Sequence, residues 1–137
     1  GCEENMKIEN LSFLPKRIID CISDVNLNDG FLEEIRIRRN RNVYLIVAKQ
    51  NISLNAIIND EEMDEIIQKI TRNSLYAFRD TIINGYIPYE KGIRIGIIGT
   101  ASVENGNLIG IYEINELAIR FPNLLEVEVD ELLNKIN

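Results

Sequence analysis

The sequence predicts an α+β domain, an α/β sandwich in which helices pack on a mainly antiparallel sheet. Three observations lead to this prediction. Apolar and polar residues alternate strictly at Glu34–Arg38, as in a half-buried strand. Apolar residues recur at helical spacing in other stretches. The pair Asn105-Gly106 stands between two apolar runs, where it favours a tight hairpin turn.

Length and composition indicate one globular domain. The chain has 137 residues, of which 45% are hydrophobic and 27% are charged. We expect a flexible leader at 1–9 and a single domain at 10–137. The net charge of −7 disfavours broad attraction to nucleic acid or anionic lipid, and the absence of histidine excludes imidazole metal sites and histidine-dependent catalysis. No apolar run is long enough to span a membrane, which predicts a cytoplasmic protein without membrane insertion.

The first elements predicted are a helix and a β-hairpin. Ser12–Ser23 has apolar residues on one helical face, with Pro15 placed in the first turn. Asn26–Gly30 is rich in turn residues. The strand at Glu34–Arg38 is followed by the β-branched segment Val43–Ala48, and the two predict an antiparallel pair.

Two helices are predicted in the middle of the chain, after a brief third strand at Ile52–Leu54. Asn59 and Glu62 have the spacing of a capping box, and the helix that follows has an apolar stripe. A second helix is predicted from about Ser74, and Asn84-Gly85 ends it.

The carboxyl-terminal part predicts strands joined by turns. The short strand Tyr86–Tyr89 turns at Glu90–Gly92 into the apolar strand Ile93–Val103. A two-residue loop at Asn105-Gly106 then predicts three cross-strand pairs, Val103 with Leu108, Ala101 with Gly110 and Gly99 with Tyr112. A last strand is predicted at Ala118–Phe121 and a terminal helix at Val129–Ile136.

Arginines are the principal candidates for binding. One basic patch contains Arg36, Arg38, Arg39 and Arg41, and two more arginines, Arg94 and Arg120, stand in apolar strands. Guanidinium groups bind phosphate oxygens in a bidentate manner, so contact with a phosphate is one interpretation. The other interpretation is that these side chains lie on the solvated face of a sheet and pair with nearby carboxylates.

Two other sequence patterns are interpreted as structural features and not as binding sites. Gly92, Gly96 and Gly99 lack the GxxxxGK string of a Walker A loop and the spacing of a dinucleotide fingerprint, so they are interpreted as bulge and close-packing positions. The acidic run 60–65 lacks the spacing of a calcium loop, and a charged helix start explains it. No catalytic residue and no metal site are predicted.

Three blocks of sequence resemble one protein family. They are residues 33–38, the segments 74–77, 84–87 and 92–99, and residues 103–120. Their order and spacing are similar to those of the amino-terminal domain of stage III sporulation protein AA. The resemblance extends over roughly residues 10 to 121.

This resemblance implies a set of functional expectations. The family consists of ATPases similar to the motors of type II and type IV secretion, which implies ATP and magnesium for the full-length protein and a fold like the amino domains of those motors. The implied partners are the ATPase domain of the same protein, other subunits of a hexameric ring and other stage III sporulation channel proteins. The implied location is the mother-cell cytoplasm, at the channel to the forespore. By analogy, Arg36, Arg38, Arg94 and Arg120 contact nucleotide or a neighbouring subunit.

The sequence departs from the family pattern in several places, and these departures limit which family properties we expect of this chain. The chain reaches Asn137 without a Walker A motif, so we expect an excised amino-terminal domain or a standalone relative that does not hydrolyse ATP by itself. Ile93 stands where the family usually has histidine, and 121–125 differ. Two alternatives stay open, a small nucleic-acid-binding module that uses Arg36–Arg41 and, with less support, a self-contained enzyme.

Overall fold

A computed structural model describes residues 11–27, 30–71 and 85–122. In these ranges the chain forms one sheet, two α-helices and a 3₁₀ turn at Glu90–Gly92. The helices are α1 (Lys16–Ser23) and α2 (Asp60–Thr71). The strands are β1 (Leu32–Arg38), β2 (Arg41–Val47), β3 (Gln50–Ile58), β4 (Ile87–Pro88), β5 (Arg94–Glu104) and β6 (Asn107–Arg120). Their order in the sheet is β3-β2-β1-β6-β5-β4, and every neighbouring pair is antiparallel. The sheet and its helices are those of an α+β domain, as predicted.

The core lies between the two helices and one face of the sheet. The alternation in β1 buries Ile35 and Ile37 completely, and Leu117 and Ile119 of β6 are equally buried beside them. The buried residues of α1 and α2 belong to the same cluster; they are Ile18, Ile22, Met63, Ile66 and Ile70. Burial of such side chains is the main stabilising contribution in a domain of this size. The opposite face of the sheet is consequently left for charged residues.

Helix α1 is shorter than predicted. It begins at Lys16, because Pro15 has an extended backbone with φ −58° and ψ 143°. Leu11, Phe13 and Leu14 are all buried although they precede the helix. Their burial in a turn produces the same apolar pattern as a helical stripe, which explains why the sequence predicted a helix from Ser12.

The hairpin of β5 and β6 confirms the predicted turn and corrects the predicted register. Asn105 and Gly106 both have positive φ, 53° and 79°, and Val103 pairs with Leu108. Further along, Ala101 pairs with Ile111 and Gly99 with Ile114, so the predicted partners Gly110 and Tyr112 are wrong. The register shifts at three places, and each shift places one extra residue in β6.

Strand β3 runs over Gln50–Ile58 and is longer than the predicted Ile52–Leu54, and β6 is also longer than the sequence predicted. β6 runs without interruption from Asn107 to Arg120, whereas the sequence predicted a separate last strand at Ala118–Phe121. A bulge at Asn115 explains the difference, because Gly99 pairs with Ile114 and Ile98 pairs with Glu116. Ile114 and Leu117 are therefore both buried although they do not alternate.

The predicted helices at 74–84 and 129–136 lie outside the described residues. Of the helices that the structure describes, neither is long and apolar enough to cross a membrane.

The capping box at the start of α2 is formed as predicted. The backbone N–H of Glu62 donates to Asn59 Oδ1 at 2.8 Å, and the backbone N–H of Asn59 donates to Glu62 Oε1 at 3.1 Å. Replacing Asn59 by Ala is expected to lower the free energy of unfolding by about 1 kcal/mol, because one donor of the first turn loses its acceptor. Urea unfolding followed by circular dichroism measures this change. Glu61→Ala in the same turn is the control, and an equal loss in both variants would contradict the assignment.

Candidate functional site: the arginine face of the sheet

The four arginines that the family resemblance implied as contacts for nucleotide or a neighbouring subunit lie on one face of the sheet, opposite the helices. Arg36 and Arg38 alternate with the buried Ile35 and Ile37 in β1. Arg120 of β6 pairs across the strands with both Glu34 and Arg94. Residues paired in an antiparallel sheet point to the same side. We call this surface, which bears Arg36, Arg38, Arg94 and Arg120, the arginine face.

Arg36 lies at the centre of an ion-pair network on this face. Its Nε donates to Glu34 Oε2, and its NH1 donates to Glu116 Oε2 at 2.8 Å. Glu34 also pairs with Arg120, whose Nε lies 3.4 Å from Oε1. The Arg36 side chain is 24% exposed and that of Glu34 is 12% exposed. The structure therefore links Arg36 and Arg120 through one shared carboxylate.

The charge of Arg36 is stabilised by these partners. Partial burial disfavours the guanidinium cation, but the hydrogen bond to Glu34 and the negative charges of Glu34 and Glu116 outweigh it and raise the pKa of Arg36 above its ordinary value. Arg36 is thus a permanently charged link between β1 and β6, and its Nε and NH1 groups are bonded to carboxylates of the same chain.

Small residues beneath Arg120 make room for its side chain. A Cβ atom added at Gly96 would lie 3.4 Å from Arg120 NH1, and Ala118, on the same face, is fully buried. Gly99 follows a register shift in β5. The interpretation of these glycines as close-packing and bulge positions is confirmed at both sites.

Arg94 and Arg38 each pack against a tyrosine. The Arg94 Cζ atom lies 4.9 Å from the centre of the Tyr86 ring, and the Arg38 Cζ atom lies 5.1 Å from that of Tyr44. Neither arginine has a carboxylate partner among the described residues. The buried Nε of Arg38 also lacks a hydrogen-bond acceptor there. Stacking orients a guanidinium group without using its N–H donors, so both groups keep the capacity to bind an anion.

Arg39 has a structural role instead. Its Nε donates to the Ile114 carbonyl at 2.7 Å, and its NH2 donates to Asp64 Oδ1 at 2.7 Å. NH1 lies 3.2 Å from Asp60 Oδ1. Burial opposes its charge, but the hydrogen bonds to Asp64 and Asp60 raise the pKa of Arg39. The acidic start of α2 thus holds a guanidinium group, and the described residues contain no cluster of carboxylates or thiols arranged for a metal ion.

A pocket of about 330 Å³ opens where the β1–β2 turn meets β5 and β6. It is lined by Arg38, Arg39, Arg41, Ile98, Asn115 and Glu116. We call it the turn pocket. Ile98 is unusual for a large apolar residue, since 47% of it is exposed. The pocket combines cationic, amide and apolar groups, which suits a ligand that carries an anion beside an apolar group.

The chain matches the family model of sporulation stage III, protein AA, over residues 4–137. The chain belongs to this family. It is 30% identical over 108 residues to stage III sporulation protein AA of Bacillus subtilis strain 168, a match that covers 78% of this chain and 35% of that protein. The chain therefore spans about a third of the length of this relative. The X-ray structure of the Legionella pneumophila ATPase DotB is similar over 88% of this chain and 30% of its own, with 15% identity and a TM-score of 0.44.

In this member of the stage III sporulation protein AA family, the turn pocket contains residues that the sequence did not single out. These residues surround a β-bulge: Asn115 is the extra residue, and Ile98 and Glu116 are the cross-strand pair beside it. A bulge can be located only once the pairing of both strands is known. The sequence signal that was available is Glu116, a charged residue directly before the apolar run Leu117–Ile119; its pairing with Arg38 and Ile98 is seen only in the structure. Of the predicted site residues, Arg38 lines the pocket, whereas Arg36, Arg94 and Arg120 lie elsewhere on the arginine face.

Proposed function

We propose that this chain is a noncatalytic amino-terminal assembly and regulatory domain of a sporulation ATPase similar to secretion motors. It acts in the mother-cell cytoplasm, at the channel between mother cell and forespore. The observation that carries the proposal is the family match over 4–137 in a chain whose 137 residues contain no Walker A string.

The arginine face supports an assembly role by the way its charges are used. Arg36 is paired with Glu34 and Glu116, and Arg120 is paired with Glu34, so part of the positive charge on this face is neutralised. Arg38 and Arg94 rest on tyrosine rings and have no carboxylate partner in the described part of the chain. Such cations on the surface of a sheet are suited to the phosphates of a nucleotide held by another domain or to the carboxylates of a neighbouring subunit.

The partners that we propose are the ATPase domain of the same protein, further subunits of a homo-oligomeric ring and other stage III sporulation channel proteins. ATP and magnesium would be bound by the ATPase domain, and this chain would supply arginines to the interface.

Phosphate release from ATP and magnesium tests the noncatalytic role. We expect the purified chain to release phosphate at the background rate, because none of its residues forms a phosphate loop or a metal site by sequence pattern. A reference ATPase under the same conditions is the positive control. A rate well above background that is abolished by Arg38→Gln or Arg94→Gln would contradict the proposal.

Association with the ATPase domain of a family member, supplied as a separate polypeptide, tests the assembly role. Isothermal titration calorimetry is expected to show binding that weakens about tenfold in Arg38→Gln or Arg94→Gln, since each loses a charge-assisted contact. Lys16→Gln, which removes the same charge from an exposed site on α1, is the matched control. Unchanged affinity in both arginine variants would contradict the role of this face.

Binding of nucleic acid by Arg36–Arg41 is the second hypothesis, and the structure reduces the charge available to it. Two of the four arginines, Arg36 and Arg39, are paired with carboxylates of the same chain. Salt-dependent binding of single- or double-stranded DNA that disappears in Arg38→Gln and Arg41→Gln would favour this hypothesis over the first.

A further inference from the structure

The turn pocket is cationic because two of its three arginines have no carboxylate partner among the described residues. Arg39 is held by Asp60 and Asp64. Glu116, the acidic residue of the lining, accepts a hydrogen bond from Arg36 instead. Arg38 and Arg41 therefore supply the charge that a ligand would encounter.

Arg38 is oriented for binding before any ligand arrives. Its Cζ atom lies over the Tyr44 ring, 5.1 Å from the ring centre, and this contact restricts the positions open to the guanidinium group. Its Nε is buried and has no acceptor in the described part of the chain. Because this atom is inaccessible to solvent, a ligand would reach the guanidinium group through its terminal NH1 and NH2 atoms, which have no carboxylate partner among the described residues.

The apolar wall of the pocket narrows the class of ligand. Ile98 pairs across the strands with Glu116, and 47% of its surface is exposed beside the arginines. An inorganic phosphate would satisfy the cations and leave Ile98 in water. An anion attached to an apolar group would cover Ile98 as well, and burial of apolar surface adds to affinity.

We infer that the turn pocket binds an acidic side chain of a partner protein, presented in a segment where it stands next to an apolar side chain. The carboxylate reaches Arg38 and Arg41, and the apolar neighbour covers Ile98. A volume of about 330 Å³ is at the lower end for ligand pockets, which fits one or two side chains. The inference names the partner chemistry of the assembly domain and rests on that proposed function.

The test uses a fluorescein-labelled peptide, Gly-Ile-Glu-Ile-Glu-Gly, and fluorescence anisotropy with the full chain. Two matched peptides are the controls: one has Gln in place of Glu, and the other has Ser in place of Ile. Inorganic phosphate serves as a competitor. We expect saturable binding of the first peptide, weaker binding of both others and no displacement by equimolar phosphate.

Protein variants localise the binding. Arg38→Gln and Arg41→Gln are each expected to weaken it about tenfold, through loss of a charge-assisted hydrogen bond. Ile98→Ser is expected to weaken it about fivefold, through loss of apolar contact. Lys16→Gln removes a positive charge from the exposed face of α1 and is expected to change nothing. Arg41 is an exposed residue at the start of β2, so its variant folds even if Arg38→Gln does not.

Several outcomes would overturn the inference. These are no binding, equal binding of the Gln peptide, displacement by equimolar phosphate, or unchanged affinity in Arg41→Gln and Ile98→Ser when their thermal unfolding matches that of the wild type. Failure of this test is distinguishable from failure of the proposed function. ATP hydrolysis by the chain would contradict the noncatalytic role and leave peptide binding intact, whereas absence of peptide binding would leave the hydrolysis result unchanged.

Discussion

Arg36→Met is expected to lower the free energy of unfolding by about 2 to 3 kcal/mol, because it leaves Glu34 and Glu116 on the sheet without the cation between them. Methionine preserves most of the apolar length of the side chain, so the change reports charge and hydrogen bonding. Guanidinium chloride unfolding followed by circular dichroism measures it. Removal of one partner from a largely buried ion pair costs more than the pair contributes, since the remaining charge is still desolvated.

The matched control is Arg94→Met on the same face. Arg94 packs on Tyr86 and has no carboxylate partner among the described residues, so we expect a loss below about 1 kcal/mol. A triple variant that adds Glu34→Gln and Glu116→Gln to Arg36→Met is expected to recover part of the stability, because no buried charge is then left unpaired. Equal effects of Arg36→Met and Arg94→Met would show that the network does not contribute.

The direction of the Arg36 pKa sets the pH dependence of this loss. Because the folded-state pKa is raised, the stabilisation is fully present below the unfolded-state pKa and is lost only as pH rises through the folded value, in the strongly alkaline range. The stability difference between wild type and Arg36→Met should therefore be the same at neutral and mildly alkaline pH.

Local patterns predicted the parts of this fold that depend on neighbours in sequence. The strict alternation around Ile35 and Ile37 located β1, and Asn105-Gly106 located the two-residue turn between β5 and β6. Asn59 and Glu62 formed the capping box expected of their spacing. In each case the deciding interaction joins residues within a few positions of one another.

Features that depend on pairing between distant segments were not predictable in the same way. The register of β5 and β6 departs from the predicted one at bulges, and the residue left over at one of them, Asn115, lines the turn pocket. The basic patch looked uniform in sequence, yet Arg36 and Arg39 find carboxylates on β6 and α2, and Arg38 and Arg41 do not. Which arginine is available is decided by contacts up to 80 positions apart along the chain.

Neighbouring arginines have different partners because their side chains extend in different directions. Arg36 and Arg38 lie on the sheet face, whereas Arg39 belongs to the turn and points to the bulge and the start of α2. The bulge at Asn115 lies next to the Ile114 carbonyl, which accepts a hydrogen bond from Arg39. The bulge therefore borders both the turn pocket and the contact through which Arg39 links β6 to α2, and Arg39 lines a pocket to which it contributes no free charge.

Arg39→Gln is accordingly expected to lower the free energy of unfolding by about 2 kcal/mol. The Ile114 carbonyl loses its 2.7 Å donor, and Asp60 and Asp64, which are 62% and 61% exposed, lose a shared cation but regain water. The aspartates therefore contribute the smaller part. Urea unfolding measures the total, and hydrogen exchange at the first turns of α2 is expected to become faster, because the helix is no longer tied to β6.

Two comparisons distinguish a specific link from the loss of a charge. Arg41→Gln also removes one positive charge, two positions after Arg39. The Arg41 side chain is exposed and has no carboxylate partner in the described residues, so this variant should change the free energy of unfolding by less than about 0.5 kcal/mol. Arg39→Lys keeps the charge, but a lysine ammonium group lacks the planar, forked donors that contact one carbonyl and two carboxylates. This variant should therefore recover less than half of the stability that Arg39→Gln loses. Full recovery by lysine would mean that charge alone holds α2, and the hydrogen bond to the bulge would then have no measurable part in anchoring the helix.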